Sequence, residues 1–225
     1  MKVFLRNAVV AAITMVIVSN SLYAMAVFGE HDRSSLSDQA IKKKMVKIYY
    51  EGNYICNGFA SAKNQITTAA KCIDINDLHE YSLRIVGESE ERSIDKARVN
   101  PRSGVAVLKV NKINDFFEMS EFIDNKETVL ISCDHGIDDC SRSKEGGLFE
   151  TPFAGMMFHT YDSTKGAAGA PFLQEGKVVA IHQGVIAFKR VNSRAEDETI
   201  TYNFATKARE KESMYLDRVS ISYDL

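Results

Sequence analysis

The chain has 225 residues, with 28 Lys and Arg against 30 Asp and Glu and a formal net charge of −2. That length suits one domain or one unit of two packed barrels. The near-neutral balance, with no Lys/Arg cluster interleaved with aromatics, argues against nucleic acid as a partner. Three prolines, no internal repeat and no low-complexity tract leave no long linker at which the chain would divide.

Residues 1–26 read as a secretory signal peptide. Lys2 and Arg6 form a positive start, and Ala24-Met25-Ala26 a small-x-small cleavage site. The apolar run between them, Ala8 to Val18, is about half of the roughly 20 residues that cross a bilayer. Cleavage there starts the mature chain near Val27 and sends it to a periplasm or out of the cell, with no stable membrane insertion. Residues 27–43, polar through Ser34, Ser35, Ser37 and Asp38, read as a flexible N-terminal arm. Lys42-Lys43-Lys44 is a solvated lead-in to the first strand.

Residues 44–225 form the folded domain. β-branched and apolar runs predict strands at Met45–Tyr50, Tyr54–Ala60, Gln65–Ala69, Tyr81–Val86, Val105–Val110 and Thr128–Ser132. Others follow at Met156–Tyr161, Phe172–Leu173, Val178–His182 and Thr199–Phe204, with Gly and Asn turns between several of them. Such short, punctuated strands point to an all-β barrel or sandwich. Ile113 to Phe122 fits neither period, and the charged stretch Thr206 to Leu216, without Gly or Pro, predicts a terminal helix.

Four cysteines in an exported chain are most simply two disulfides. Within Cys133-Asp134-His135-Gly136-Ile137-Asp138-Asp139-Cys140, two thiolates, an imidazole and three carboxylates also allow a metal site. An oxidising compartment favours a small disulfide loop with an acidic tip, so no metal and no cofactor is expected. His31, His79, His135 and His159 are scattered without metal-like spacing, and Met156 and Met157, beside Phe153 and Phe158, read as core.

Three landmarks in order resemble the trypsin-like serine proteases. Cys56 to Cys72, with Thr67-Thr68-Ala69-Ala70-Lys71-Cys72 at its end, resembles the family's disulfide-bridged turn around the catalytic histidine, with Lys71 at the histidine position. A bridge between those two cysteines closes a loop of a size that contributes about 3 kcal/mol in the chain-entropy model. Asn100-Pro101-Arg102-Ser103-Gly104-Val105-Ala106-Val107-Leu108-Lys109-Val110 resembles the run that carries the catalytic aspartate, with Gly104 in its place. Gly166-Ala167-Ala168-Gly169-Ala170-Pro171 resembles the nucleophile loop, with Ala168 at the serine position. The resemblance covers roughly residues 44–206. It implies a double six-stranded β-barrel divided near 112–127, with a short C-terminal helix.

A lysine at its reference pKa of about 10.4 cannot accept a proton at neutral pH, glycine has no carboxylate, and a methyl group cannot attack. The resemblance therefore implies a pseudoprotease, while the backbone N–H groups of Gly166 and Ala168 retain an oxyanion-type arrangement. Ala167 stands where trypsin has an aspartate, so no ion pair with a liberated N-terminus is expected and processing near Val27 need not activate anything. Ser163-Thr164 and Ile181-His182-Gln183-Gly184 resemble bacterial glutamyl endopeptidases. That resemblance implies a groove lined by Ser163, Thr164, His182 and Gly184 in which Thr164 and His182 read an acidic side chain; the plainer alternative is a histidine packed at a strand end. Three functions stay open: a secreted module binding a protein or extended peptide, a hydrolase with a recruited nucleophile (Ser103, Ser141, Ser143 or Ser163), and a structural or toxin-associated envelope protein.

Overall fold

The computed structural model describes residues 32–134, 140–151, 155–191 and 197–208, with 186–191 and 197–202 given by backbone alone. The signal-peptide reading lies outside the described residues, as does most of the expected terminal helix; Thr206 and Lys207 belong to a strand instead.

Two sheets account for nearly all the regular structure. The first contains β2 (Met45–Tyr50), β3 (Asn53–Ala62), β4 (Gln65–Ala69), β5 (Tyr81–Ile85), β6 (Glu91–Arg92), β7 (Lys96–Asn100) and β8 (Val105–Lys109), in the order β6-β5-β2-β3-β4-β8-β7. The second contains β1 (Ser34–Ser35), β9 (Val129–Cys133), β10 (Cys140–Ser143), β11 (Leu148–Glu150), β12 (Met156–His159), β13 (Pro171–Gln174), β14 (Lys177–Val191) and β15 (Asp197–Lys207), in the order β1-β10-β9-β13-β14-β15-β12-β11. The expected strands are all present. The sheets have seven and eight strands rather than six each, and two of the additions, β1 and β6, are two-residue edge strands. Residues 113–122 cross between the sheets without helix, touching β14 through a parallel bridge from Met119 to Val178.

Burial on both faces explains why β2 reads as a nearly continuous apolar run. Its alternate residues Val46 and Ile48 enter the core of the first sheet, while Met45 enters a cluster with Phe59, Val105, Phe117, Ile131, Leu173 and Ile181, shared between the sheets. A third cluster, including Leu130, Met157, Phe172, Val179 and Ala205, fills the second sheet.

Residues 32–43 depart from the flexible arm expected of them. Their polarity is spent on specific partners. The Asp32 carboxylate accepts from the Ser143 hydroxyl at 2.6 Å and from the N–H groups of Lys144 and Glu145. β1 pairs with β10, Leu36 is buried, and Asp38 caps a helical turn, α1 (Gln39–Lys42), by accepting from the Ala40 and Ile41 N–H groups.

Asn57 joins the two sheets. Its side-chain amide donates to the Gly166 carbonyl at 2.8 Å and the Cys133 carbonyl at 3.0 Å, and its Oδ1 accepts from the Cys133 N–H at 2.9 Å. Its own N–H donates to the Ala168 carbonyl at 2.8 Å. Gly169 packs against the same residue. With φ +85° and an ideal Cβ only 2.0 Å from the Asn57 carbonyl oxygen, this position accepts no side chain. Asn57→Ala strips the buried Cys133 N–H of its partner and leaves the Cys133 and Gly166 carbonyls to share the single Tyr54 hydroxyl, and should lower unfolding free energy by about 3 kcal/mol. Urea denaturation reads this as a lower midpoint at constant slope, and an unchanged midpoint would refute the bridging role.

Candidate functional site

Lys71 lies in the 3₁₀ turn Ala70–Cys72 that follows β4, stapled to β3 by the Cys56–Cys72 disulfide. The Ala70 N–H donates to the Gly104 carbonyl at 2.7 Å, so the turns carrying Lys71 and Gly104 are one hydrogen bond apart. Gly104 has φ +70°, and a Cβ there would stand 3.2 Å from the Gln183 side chain and the Thr206 hydroxyl. The Ala168 methyl is buried in the first-sheet core with Ala69, Cys56 and Cys72. The three landmarks, far apart in sequence, therefore converge.

The Gly166–Ala170 turn is braced from within and from both sides. Ala167 N–H donates to Thr164 O at 3.0 Å and Ala170 N–H to Ala167 O at 2.9 Å. Gly169 N–H donates to His182 O and His182 N–H to Ala170 O, both at 2.8 Å. Gly166, at φ +88°, places its carbonyl within reach of both Asn57 and the Tyr54 hydroxyl. Among the described residues no acceptor faces the N–H groups of Gly166 and Ala168.

Thr164 does not join His182 through its hydroxyl. It donates to Asp134 at 2.7 Å, and Asp134 is paired to Arg33 of the N-terminal arm at 3.0 Å. Arg33 also reaches Ser132 and Ser141. The arm thus holds the loop through Arg33 and Asp134, while Ala167 stays buried.

His182 has a partner that the sequence pattern did not single out. Its Nδ1 is 2.8 Å from Nε2 of His159, which is therefore not one of a scattered set. Both rings are fully buried, together with Ser163 and Asn203, whose side chains lie 3.3 Å apart. Register brings the two rings close: His159 on β12 faces Asn203 on β15, and His182 on β14 faces Ala205, two residues along the same strand. The outer nitrogens, Nδ1 of His159 and Nε2 of His182, have no hydrogen-bond partner. Burial pushes the His182 pKa down to about 3, with the Lys71 charge acting in the same direction. His159 is also held well below the ordinary histidine value by burial and by His182, a shift that the nearby Tyr161 carbonyl opposes only in part. The pair is neutral at physiological pH.

Burial lowers the Lys71 pKa too, yet the residue is solvent-exposed, which limits that shift. Of the serines considered as recruited nucleophiles, only Ser143 bonds a basic group, the Asp32 carboxylate. Ser103 lies by the Asn100 carbonyl, Ser141 by Arg33, Ser143 by Asp32 and Ser163 by Asn203. Among the described residues no imidazole or amine stands within bonding distance of any of them. The sulfurs of Cys133 and Cys140 are bonded to each other across directly opposed strand residues, which removes the thiolates a metal site would need.

No protein-family model and no curated protein matches the chain. Solved structures do. The MamO protease domain from Magnetospirillum magneticum superposes with a TM-score of 0.55 at 10% identity, covering 78% of this chain and 97% of that one. Neuropsin, a serine protease of mouse brain, gives 0.54 at 14% identity over 80% of this chain and 96% of its own. Kallikrein-related peptidase 10, in complex with zinc, gives 0.58 at 11% identity, with coverages of 80% and 96%. At such identities the likeness establishes the fold, which is the trypsin-like double β-barrel.

The histidine pair makes stability pH-dependent in a defined direction. In the unfolded chain both rings titrate near 6.5, so the unfolded state binds more protons as pH falls towards the folded value of about 3 for His182. The stabilisation is complete above pH ~6.5 and is lost below it, at up to about 1.4 kcal/mol per pH unit for each ring. Urea denaturation between pH 7.5 and 4 should show a shallower loss in His182→Gln than in the natural chain; parallel curves would exclude this linkage.

Proposed function

We propose that the protein is a secreted, non-catalytic trypsin-like module that binds an extended protein or peptide segment through its groove. The observation that carries this reading is Ala168. In this reading it stands at the nucleophile position of the turn; the braced backbone and the two unused N–H donors support a carbonyl-binding geometry with no group able to attack. Lys71 and Gly104 are equally unfit as base and orienting acid. Main-chain binding along a strand edge needs none of these side chains.

The partner residue nearest the buried histidine pair is an acidic one in this reading. A carboxylate meeting His182 Nε2 accepts from an N–H there, and in this reading its charge also raises the pKa of the ring so that the bound histidine is cationic; binding then takes up a proton and strengthens as pH falls. The fully buried ring also requires the segment around Ser163 and Thr164 to shift on binding. Thr164 contributes by way of Asp134 rather than by direct contact with His182.

A fluorophosphonate probe on the purified mature chain should leave every serine unlabelled, with no casein cleavage beside it. Labelling of Ser103, Ser141, Ser143 or Ser163 would replace this reading with that of a hydrolase. Peptides ending in Glu should bind several-fold tighter at pH 5.5 than at 7.5, whereas matched peptides ending in Gln should not. A structural or envelope role would leave both peptides unbound.

A further inference from the structure

β14 is far longer than the strand beside it. β13 pairs with it only between Lys177 and Ile181, whereas β15 follows it from Ala180 to Val191. β15 in turn is covered by β12 only between Asn203 and Thr206. Residues 184–191 and 197–202 therefore extend past their neighbours as a two-stranded ribbon. Among the described residues no further strand pairs with either outer edge. A two-stranded ribbon is marginal by itself, and a long open edge is a feature that proteins ordinarily cover.

The free edge of β14 starts at the degenerate turn. β13 occupies that edge up to Pro171, opposite Ile181, and the last rungs are the bonds between His182 and Gly169–Ala170. There the chain before β13 turns away through Gly166, vacating the line that β13 had followed. A bulge between His182 and Gly184, with Gly184 at φ +138°, then re-aims β14 for its outer stretch. A segment laid in line with β13 would run antiparallel to β14 with its C-terminal end at the unused N–H groups of Gly166 and Ala168. Alternate residues of an antiparallel edge present both N–H and C=O outward, so roughly four of the eight positions from Gly184 to Val191 offer paired donors and acceptors.

We propose that the partner is a long extended segment of about eight residues or more, added as a third strand along β14 from Gly184 to Val191 and ending at the Gly166–Ala168 turn. It spans about 27 Å at the usual rise per residue, well beyond a contact confined to the turn. This rests on the peptide-binding reading above and extends it by assigning the ribbon as the larger part of the site. Recognition is mostly through the main chain, so the sequence of a probe matters less than its length.

Fluorescein-labelled peptides of four and ten residues test this, both ending in Thr-Val-Glu, the longer one extended by alternating Thr and Val. The mature chain should bind the ten-residue peptide at least tenfold tighter. N-methylating one alternate set of its amides should abolish the gain, while methylating the other set should not. A variant in which Asn-Gly replaces residues 187–201, so that the turn is flanked by the paired residues Ile186 and Tyr202, should bind both peptides equally, at the natural chain's affinity for the shorter. Equal affinity of the two peptides for the natural chain would overturn the ribbon assignment and leave the groove reading standing. Binding of neither would remove both. A dimer of the natural chain that disappears in the shortened variant would assign the edge to a second copy instead.

Discussion

The close approach of β3 to the Gly166–Ala170 turn is the constraint on which the rest of this structure depends. Asn57 is fully buried, and its backbone and side chain together bind Ala168, Gly166 and Cys133. The contact leaves no room for a Cβ at Gly169 and sets the direction of the turn. Buried polar networks of this kind favour one arrangement because any shift strands several groups at once. The two sheets are thus held in one relative position by a single buried asparagine.

That bracing does not need a catalytic apparatus. Arg33 and Asp134 connect the N-terminal arm to Thr164, and Tyr54 closes the network from the first sheet. The turn stays ordered with alanine at both Ala167 and Ala168. The bracing is made by backbone groups and by Asn57, Tyr54 and Thr164, so the fold of the turn is independent of any one activity.

The His159–His182 pair is costly by comparison. Two imidazoles are buried with an unsatisfied nitrogen each, and a buried unpaired polar group disfavours the folded state by about 1–3 kcal/mol. Buried polar atoms without a partner call for a physical account. Here the unpaired His182 nitrogen lies on the strand whose outer stretch forms the open ribbon. Cost and exposure of bonding capacity thus fall on β14, the strand that borders the Gly166–Ala170 turn.

The all-β class, the principal strands, the Cys56–Cys72 loop and the three landmarks were legible in the sequence. These depend on local pattern: apolar runs, turn glycines and residue types at fixed spacing. Other features depended on pairing between distant segments, which no local period records. The ordered arm was hidden because Asp32 and Arg33 look like any polar lead-in until Ser143 and Asp134 are placed beside them. His159 looked isolated because its partner stands 23 residues away on another strand. The Thr164 hydroxyl donates to Asp134, a pairing set by the packing of the arm that no local pattern records. The sequence by itself determined which groups the turns can offer, since chemistry belongs to residue type. Only the tertiary structure decided which of those groups meet, because strand register, burial and the Asn57 contact are properties of the assembled sheets.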